Sequence, residues 1–161
     1  MIYDTTNIRR QDRLLDEKRA LELLRNSEYG VLSLVDEDKT PYGIPLNYVF
    51  DEKNSIYIHC APVGKKLNII RENNKVSFCI VGKINLVPDK FTTEYESIIL
   101  EGTAHLNLSE QERKRALVLL VEKLSPQYKE IGLKYIEKSF ARTEIIRLDF
   151  AKYSGKSKSM H

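Results

Sequence analysis

Three strand-like runs near the start of the chain, joined by tight turns, constrain its fold more than any other feature. The runs are rich in β-branched and aromatic residues and cover residues 29–35, 42–50 and 56–60. The connections at 36–39 and 51–54 are built from Asp, Glu, Asn and Lys, a composition typical of short turns. This spacing predicts an antiparallel meander. The regular strand–helix alternation that a doubly wound parallel sheet needs is missing.

The remaining elements extend this meander into a mainly β domain with appended helices (α+β). Further strand-like runs are predicted at 75–81, 91–106 and 144–150, and helical runs at 16–26, 66–72, 109–124 and 128–140. Ser109 begins the longest helix, and Glu112 is expected to complete a capping box. Gly102 marks a bend or bulge, whereas Pro45 marks an edge, a bulge or a contact with something other than a strand. An antiparallel barrel or sandwich of about six strands follows.

The length of 161 residues fits one domain with a buried core. We expect an N-terminal arm at 1–14, the domain at 15–154 and a flexible basic tail at 155–161. A net charge of +3 lacks the strong basic footprint of a nucleic-acid binder, and no apolar run approaches the ~20 residues of a membrane span. Cys60 and Cys79 are expected to be reduced thiols. With a polar N-terminus that lacks a signal peptide, they predict a cytoplasmic protein.

The stretch at 58–68 predicts a strand, a short turn containing Gly64 and the start of a helix. Free N–H groups at a helix start attract anions, and Lys65 and Lys66 lie beside them. A bound phosphate is the expected ligand, and the alternative is a pair of solvated surface lysines. The stretch lacks the Walker A pattern, and no G-x-G-x-x-G follows a strand, so a nucleoside triphosphate is not expected.

No acid, base or nucleophile stands out among the polar side chains. His59, at a strand end, is a candidate cofactor contact, haem ligand or proton donor, or else a half-buried residue bonded to the backbone. Cys60 beside it points to the opposite face, so the two form no dyad. Glu94 and Glu96 could form an acid–base pair or simply the solvent face of a strand. No metal site is expected, and any reaction would be carried by a cofactor.

Several short motifs agree in order and spacing with a known family. They lie at 28–33, 41–48, 56–61, 64–67, 74–78, 91–97 and 154–156. With these motifs the chain resembles the pyridoxamine 5'-phosphate oxidase-like family and, within it, the nitroimidazole-resistance (Nim) type of flavoprotein. The resemblance extends from about residue 10 to residue 156, nearly the whole chain.

The resemblance implies a split β-barrel that binds FMN, as a homodimer with the flavin at the subunit interface. Carried over residue by residue, it implies that Asn47, Tyr48 and Val49 lie along the flavin ring and ribityl chain, with much of the contact through backbone, and that His59 and Cys60 lie beside them. It implies a phosphate site at Gly64, Lys65 and Lys66, and further ring contacts from Glu96 and Ser97. The phosphate site coincides with the anion site that the turn and helix start predict independently.

The chain also departs from the true pyridoxamine phosphate oxidases. Ile44 stands where those enzymes carry an arginine, and their C-terminal Arg-x-His-type pattern is missing, so oxidation of vitamin B6 is not expected. The resemblance then implies an FMN-dependent oxidoreductase that passes electrons from NAD(P)H through the flavin to a small molecule, such as a nitroaromatic or a quinone. The alternative is a non-catalytic FMN- or haem-binding protein of the same fold.

Overall fold

The computed structural model describes residues 1–160. Within them lie eight strands, β1 (Ile2–Tyr3), β2 (Tyr29–Val35), β3 (Pro41–Asn47), β4 (Val49–Phe50), β5 (Ser55–Cys60), β6 (Lys75–Val87), β7 (Thr92–His105) and β8 (Glu144–Lys158). The α-helices are α1 (Glu17–Asn26), α2 (Lys65–Glu72), α3 (Glu110–Leu124) and α4 (Lys129–Ser139). The prediction of a mainly β fold with appended helices is confirmed, although about six strands were expected.

The strands form one sheet in the order β3-β2-β6-β7-β8-β5-β4, in which neighbouring strands are antiparallel. β1 is added beside β8 in parallel. The sheet coils until β3 contacts β5, but the two strands are not hydrogen-bonded. The result is a barrel with an open seam, the split barrel that the resemblance implied.

The predicted return strand at 42–50 is divided at the seam. Its first part, β3, pairs with β2, and its second part, β4, pairs with β5 at the other end of the sheet. Tyr48 makes the division because its side chain is fully buried in the core and its hydroxyl donates to the Leu24 carbonyl at 2.6 Å. Pro45 lies on the edge strand β3, where its missing N–H is tolerated.

The hairpin of β6 and β7 is longer than the sequence pattern indicated. β6 continues through 82–87, which was expected to be irregular, and pairs with β7 as far as Thr92. The register shifts between Val81 and Ile84, and this bulge interrupts the alternation of buried and exposed residues on which the sequence prediction depended.

The prediction of a flexible tail is wrong for residues 155–158, which belong to β8. Their partners come from β7 and from the N-terminal arm. The segment therefore forms a strand although its sequence shows no apolar alternation. Gly155 pairs with Ile98, and its carbonyl accepts from the Leu15 N–H at 3.1 Å. The arm itself lies against β8, with the Tyr3 and Tyr153 rings 4.9 Å apart. His161 lies outside the described residues.

Two apolar clusters hold the domain together. The larger fills the barrel between α1, α2 and the inner face of the sheet, with Leu24, Leu32, Phe78, Ile80, Ile98, Leu100 and Leu148 fully buried. The smaller lies under α3 and α4 and includes Val49, Tyr57, Ala116, Leu117, Leu120, Ile136 and Ile145. None of the helices in residues 1–160 is long and apolar enough to cross a membrane.

The capping box of α3 is half formed. The Ser109 hydroxyl accepts from the Glu112 N–H at 3.2 Å, as predicted. The Glu112 carboxylate does not reach back to Ser109, because it accepts instead from Tyr57 at 2.9 Å and from Arg147 at 2.8 Å. These two bonds attach α3 to the sheet, a role that a local sequence motif does not reveal.

Gly102 lies where β7 and β8 change register, as the sequence predicted, with Ala151 as the extra residue. A Cβ at this position would overlap the backbone carbonyl oxygen of Asp149, which cannot move without breaking the sheet. We expect Gly102→Ala to lower the free energy of unfolding in a denaturant titration by about 3 kcal/mol. Gly43→Ala is the matched control, since its Cβ would meet Val31 at an ordinary 3.6 Å. Equal effects of the two changes would contradict this interpretation.

Candidate functional site

β3 and β5 lie against each other at the open seam without hydrogen bonds between them. Asn47, the last residue of β3, pairs with Tyr29 of β2, and His59 lies two residues beyond Tyr57, the partner of Val49 on β5. Farther along, Lys65 at the start of α2 lies over the Tyr42 ring of β3, with Nζ 4.8 Å from the ring centroid. We call this feature the seam groove and define it by Tyr42, Asn47, His59 and Lys65.

One end of the seam groove is the turn from β5 into α2. Gly64 has φ 145°, a value that side chains rarely allow, and a Cβ there would meet open space. The N–H groups of Leu67 and Asn68 both donate to the Gly64 carbonyl, whereas no backbone acceptor within residues 1–160 takes those of Lys65 and Lys66. The first turn of α2 has no acidic residue. Free N–H groups and two lysines therefore occur together at the start of α2, with the Lys65 ammonium over Tyr42 and the Lys66 ammonium acting on His59, and this is the chemistry of an anion site.

His59 and Cys60 lie on opposite faces at the end of β5. Much of the His59 side chain meets solvent, yet the protein atoms around the imidazole lower its pKa, and the Lys66 ammonium lowers it further. The ring is thus neutral at pH 7. Burial raises the pKa of the half-buried Cys60 thiol, so this group is neutral as well. The pair offers hydrogen bonds and contact surface, but no thiolate nucleophile.

The side chains of residues 47–49 all have partners within the protein. Asn47 is exposed, and its side-chain amide donates to the Glu28 carbonyl at 3.0 Å. The Tyr48 ring points into the core, edge-on to Phe78 with centroids 5.2 Å apart, and burial raises the pKa of its hydroxyl. The Val49 side chain is buried under α3. Tyr48 and Val49 therefore offer no exposed side chain to a ligand, since the two residues are 0 and 6% exposed.

Glu96 and Ser97 lie far from the seam groove of the same chain. β8 pairs with His59 at Ile145 and with Ser97 at Lys156, a contour of roughly 35 Å along an extended strand. The Glu96 carboxylate is held by Arg19 through two bonds of 2.8 and 2.9 Å, which keep its pKa below the ordinary value. The predicted site residues thus fall into two groups, one at the groove and one on β7, where Glu96 faces α1 and Ser97 faces the outer side.

Ser97 lines a separate cavity of about 240 Å³ under the N-terminal arm. The cavity also involves Asp4, Asn7, Ile8 and Lys156. The sequence predicted only that residues 1–14 form an arm. The arm covers β7 and β8 through contacts between residues distant in sequence, which a local pattern does not reveal.

Sequence reasoning missed two residues at the seam groove. Tyr42 lies under the Lys65 ammonium, and a contact between distant segments of this kind leaves no local pattern. Lys123 lies behind Tyr48, with Nζ 3.8 Å from the ring centroid. A signal for Lys123 did exist, because it falls beside Ala116 and Leu120 on the apolar stripe of α3, where a charged residue is out of place.

Comparison with known families identifies the class of protein. The sequence model of the family described as pyridoxamine 5'-phosphate oxidase matches residues 16–157, and the chain belongs to this family. Comparison with curated proteins gives no match.

Solved structures share the fold at low sequence identity. A candidate 5-nitroimidazole antibiotic resistance protein from Bacteroides thetaiotaomicron is 17% identical, with a TM-score of 0.71 over 90% of this chain and 86% of its own. A FAD-binding protein from Mesorhizobium loti is 20% identical, with a TM-score of 0.62 over 92% and 97%. A FAD and heme binding protein from Mycobacterium smegmatis is 17% identical, with a TM-score of 0.69 over 90% and 72%. These likenesses establish the fold alone.

The effect of Lys66 on His59 can be measured directly. We expect the His59 imidazole to titrate below the ordinary histidine pKa in a proton NMR titration, and Lys66→Gln to raise its pKa because a nearby positive charge is removed. Lys65→Gln is the control, since its ammonium lies over Tyr42. A His59 pKa that Lys66→Gln leaves unchanged would show that Lys66 exerts no field at this position.

Proposed function

We propose that this chain is an FMN-dependent oxidoreductase whose cofactor lies in the seam groove. The phosphate is held at Gly64, Lys65 and Lys66, and the flavin lies along the backbone of residues 47–49 beside His59 and Cys60. Electrons pass from NAD(P)H through the flavin to a small acceptor, such as a nitroaromatic or a quinone. The observation that carries the proposal is the convergence of free N–H groups and lysines at the start of α2.

A phosphate monoester suits this corner for electrostatic reasons. Its oxygens accept charge-assisted hydrogen bonds from ammonium groups, and the positive end of a helix attracts the same charge. The open space around Gly64 leaves room for the phosphate to approach the backbone. Two of the solved structures with this fold are described as FAD-binding, which supports a flavin as the ligand class.

The protein residues would bind and orient the cofactor. Bound FMN supplies the hydride and electron transfer. His59, neutral at pH 7, can donate one hydrogen bond and accept another at the open side of the groove. The Cys60 thiol, also neutral, contributes contact surface. This division of roles agrees with the lack of any catalytic constellation in the sequence.

The proposal includes a homodimer, because a single copy leaves an apolar surface exposed to solvent and its binding site incomplete. Val81, Ile84, Leu86 and Ile99 on β6 and β7 are 52, 57, 70 and 44% exposed. Ser97, on the same face of β7 as Ile99, cannot reach the seam groove of its own chain. A second copy packed on this apolar face would cover it and bring its own Ser97 to the groove. The FMN would then lie at the subunit interface.

The phosphate assignment predicts the effect of a double substitution. We expect the purified protein to bind FMN with a flavin absorbance spectrum, and Lys65→Ala with Lys66→Ala to weaken binding by about 3 kcal/mol, since two charged contacts are lost. Fluorescence titration with FMN measures the change. The control, Lys134→Ala with Lys138→Ala on α4, removes the same charge at exposed positions away from the groove.

Three outcomes would contradict parts of this proposal. Protein that never binds flavin would contradict it entirely. Equal FMN affinity in the two double variants would contradict the phosphate site. Bound flavin that neither NADH nor NADPH reduces, with nitroaromatic and quinone acceptors present, would leave a binding protein and exclude the proposed electron donor.

The dimer surface makes a separate prediction. We expect the protein to sediment as a dimer in analytical ultracentrifugation and Ile84→Glu to shift it to the monomer, because a buried carboxylate without a partner is costly. Ile131→Glu is the matched control, since Ile131 is an isoleucine of α4 that is 67% exposed on another surface. A monomeric parent protein, or a dimer that Ile84→Glu leaves intact, would contradict the assignment of this face.

A further inference from the structure

Lys123 places a positive charge inside the protein without a hydrogen-bond partner. It projects from the last turns of α3, and its Nζ is shielded from solvent with no acceptor among residues 1–160. The ammonium lies over the Tyr48 ring, 3.8 Å from the centroid. A cation so placed is attracted to the negative face of the ring, which offsets part of the cost of removing it from water.

The groups around Lys123 come from three segments of the chain. Tyr48 joins β3 to β4, and its hydroxyl is occupied by the Leu24 carbonyl of α1. Glu28 precedes β2, and its carboxylate favours the charged form of Lys123. Arg25 of α1 is engaged by Glu52 at 2.6 Å. Desolvation outweighs the attraction of Glu28 and lowers the pKa of Lys123 to about 8.

A neighbouring cavity of about 450 Å³ is lined by Arg25, Asn26, Glu28, Asn47, Lys123 and Leu124. The shielding of Nζ means that a molecule in this cavity would not touch the ammonium unless the side chain moved. The interaction that the structure does show is the contact with Tyr48. Lys123 can therefore affect its surroundings through its contact with the Tyr48 ring.

Tyr48 determines where the backbone of the seam groove runs. It is the only residue between β3 and β4, and its ring anchors the chain between Leu24, Phe78 and Lys123. The flanking residues Asn47 and Val49 take their positions from this anchor. A methionine at 123 would fill similar space without a desolvation cost. The charge of Lys123 therefore costs free energy that packing alone does not require.

We propose that Lys123, in its charged form, is a positioning residue for the proposed FMN site. It holds the Tyr48 ring and so fixes the backbone of residues 47–49, along which the flavin is proposed to lie. This inference rests on the proposed function. It adds that the seam groove responds to pH, since a neutral amine is not attracted to the ring and no longer restrains Tyr48.

The first test measures FMN affinity from pH 6.5 to 9.5 in the parent protein, Lys123→Arg and Lys123→Met. We expect the parent affinity to fall about fivefold relative to Lys123→Arg, with a midpoint near pH 8, because arginine stays charged and stacks on aromatic rings. Lys123→Met should be about fivefold weaker than the parent at pH 7 and equal to it at pH 9.5. Titration of His59 and of the phosphate is common to all three proteins and cancels in the comparison.

The second test needs no flavin. The ring signals of Tyr48, in protein labelled with ¹³C-tyrosine and assigned by loss in Tyr48→Phe, should shift with a midpoint near pH 8 in the parent and not in Lys123→Met. The unfolding free energy of the parent, relative to Lys123→Met, should rise between pH 8 and 10.5. In that window the unfolded chain binds more protons at this site than the folded chain does.

Lys114→Met is the control, since Lys114 lies on the same helix and 5.3 Å from the Phe140 ring, away from the seam groove. Loss of FMN affinity in this variant equal to that in Lys123→Met would overturn the inference. So would a pH profile that Lys123→Met shares with the parent, or a Tyr48 signal that does not titrate. If neither the parent protein nor any variant binds FMN, the proposed function fails. A titrating Tyr48 signal would still show that Lys123 restrains this segment.

Discussion

The burial of Tyr48 is the interaction on which the architecture depends. At Tyr48 the pairing of residues 41–50 changes from β2 to β5. Because the ring enters the core and its hydroxyl bonds to Leu24, the chain leaves β2 and continues beside β5, and the barrel stays open between β3 and β5. The seam groove is a consequence of this single crossing.

The two halves of the proposed site follow from the same architecture. β8 is long enough to pair with β5 near its start and with the beginning of β7 near its finish, so the groove and Ser97 are kept apart within one chain. The apolar residues left exposed on β6 and β7 lie beside Ser97. An exposed apolar face next to half of a site is typical of a site completed by a second copy of the chain.

The sequence predicted what depends on local patterns. The strand runs, the helix starts at Asp16 and Ser109, and the irregularity at Gly102 each have a local physical cause, and each is confirmed. The proposed anion site also has local causes, since Gly64, Lys65 and Lys66 adjoin one helix start. The length of β6, the paired end of β8 and the bonds of Glu112 depend on partners distant in sequence, which explains why they were predicted wrongly. Lys123 disturbs an otherwise regular apolar stripe, and that irregularity could have been noticed.

The central claim is that one FMN site uses the Gly64–Lys66 corner of one copy and the Ser97 region of another. Mixed dimers test it most directly, with one subunit carrying Lys65→Ala and Lys66→Ala and the other carrying Ser97→Trp, purified through two different tags. In such a dimer both lesions fall in one site and the second site is intact. The account predicts that neither parent dimer binds FMN tightly and that the mixed dimer binds about one FMN per dimer. A mixed dimer that binds no more FMN than its parents would contradict the account.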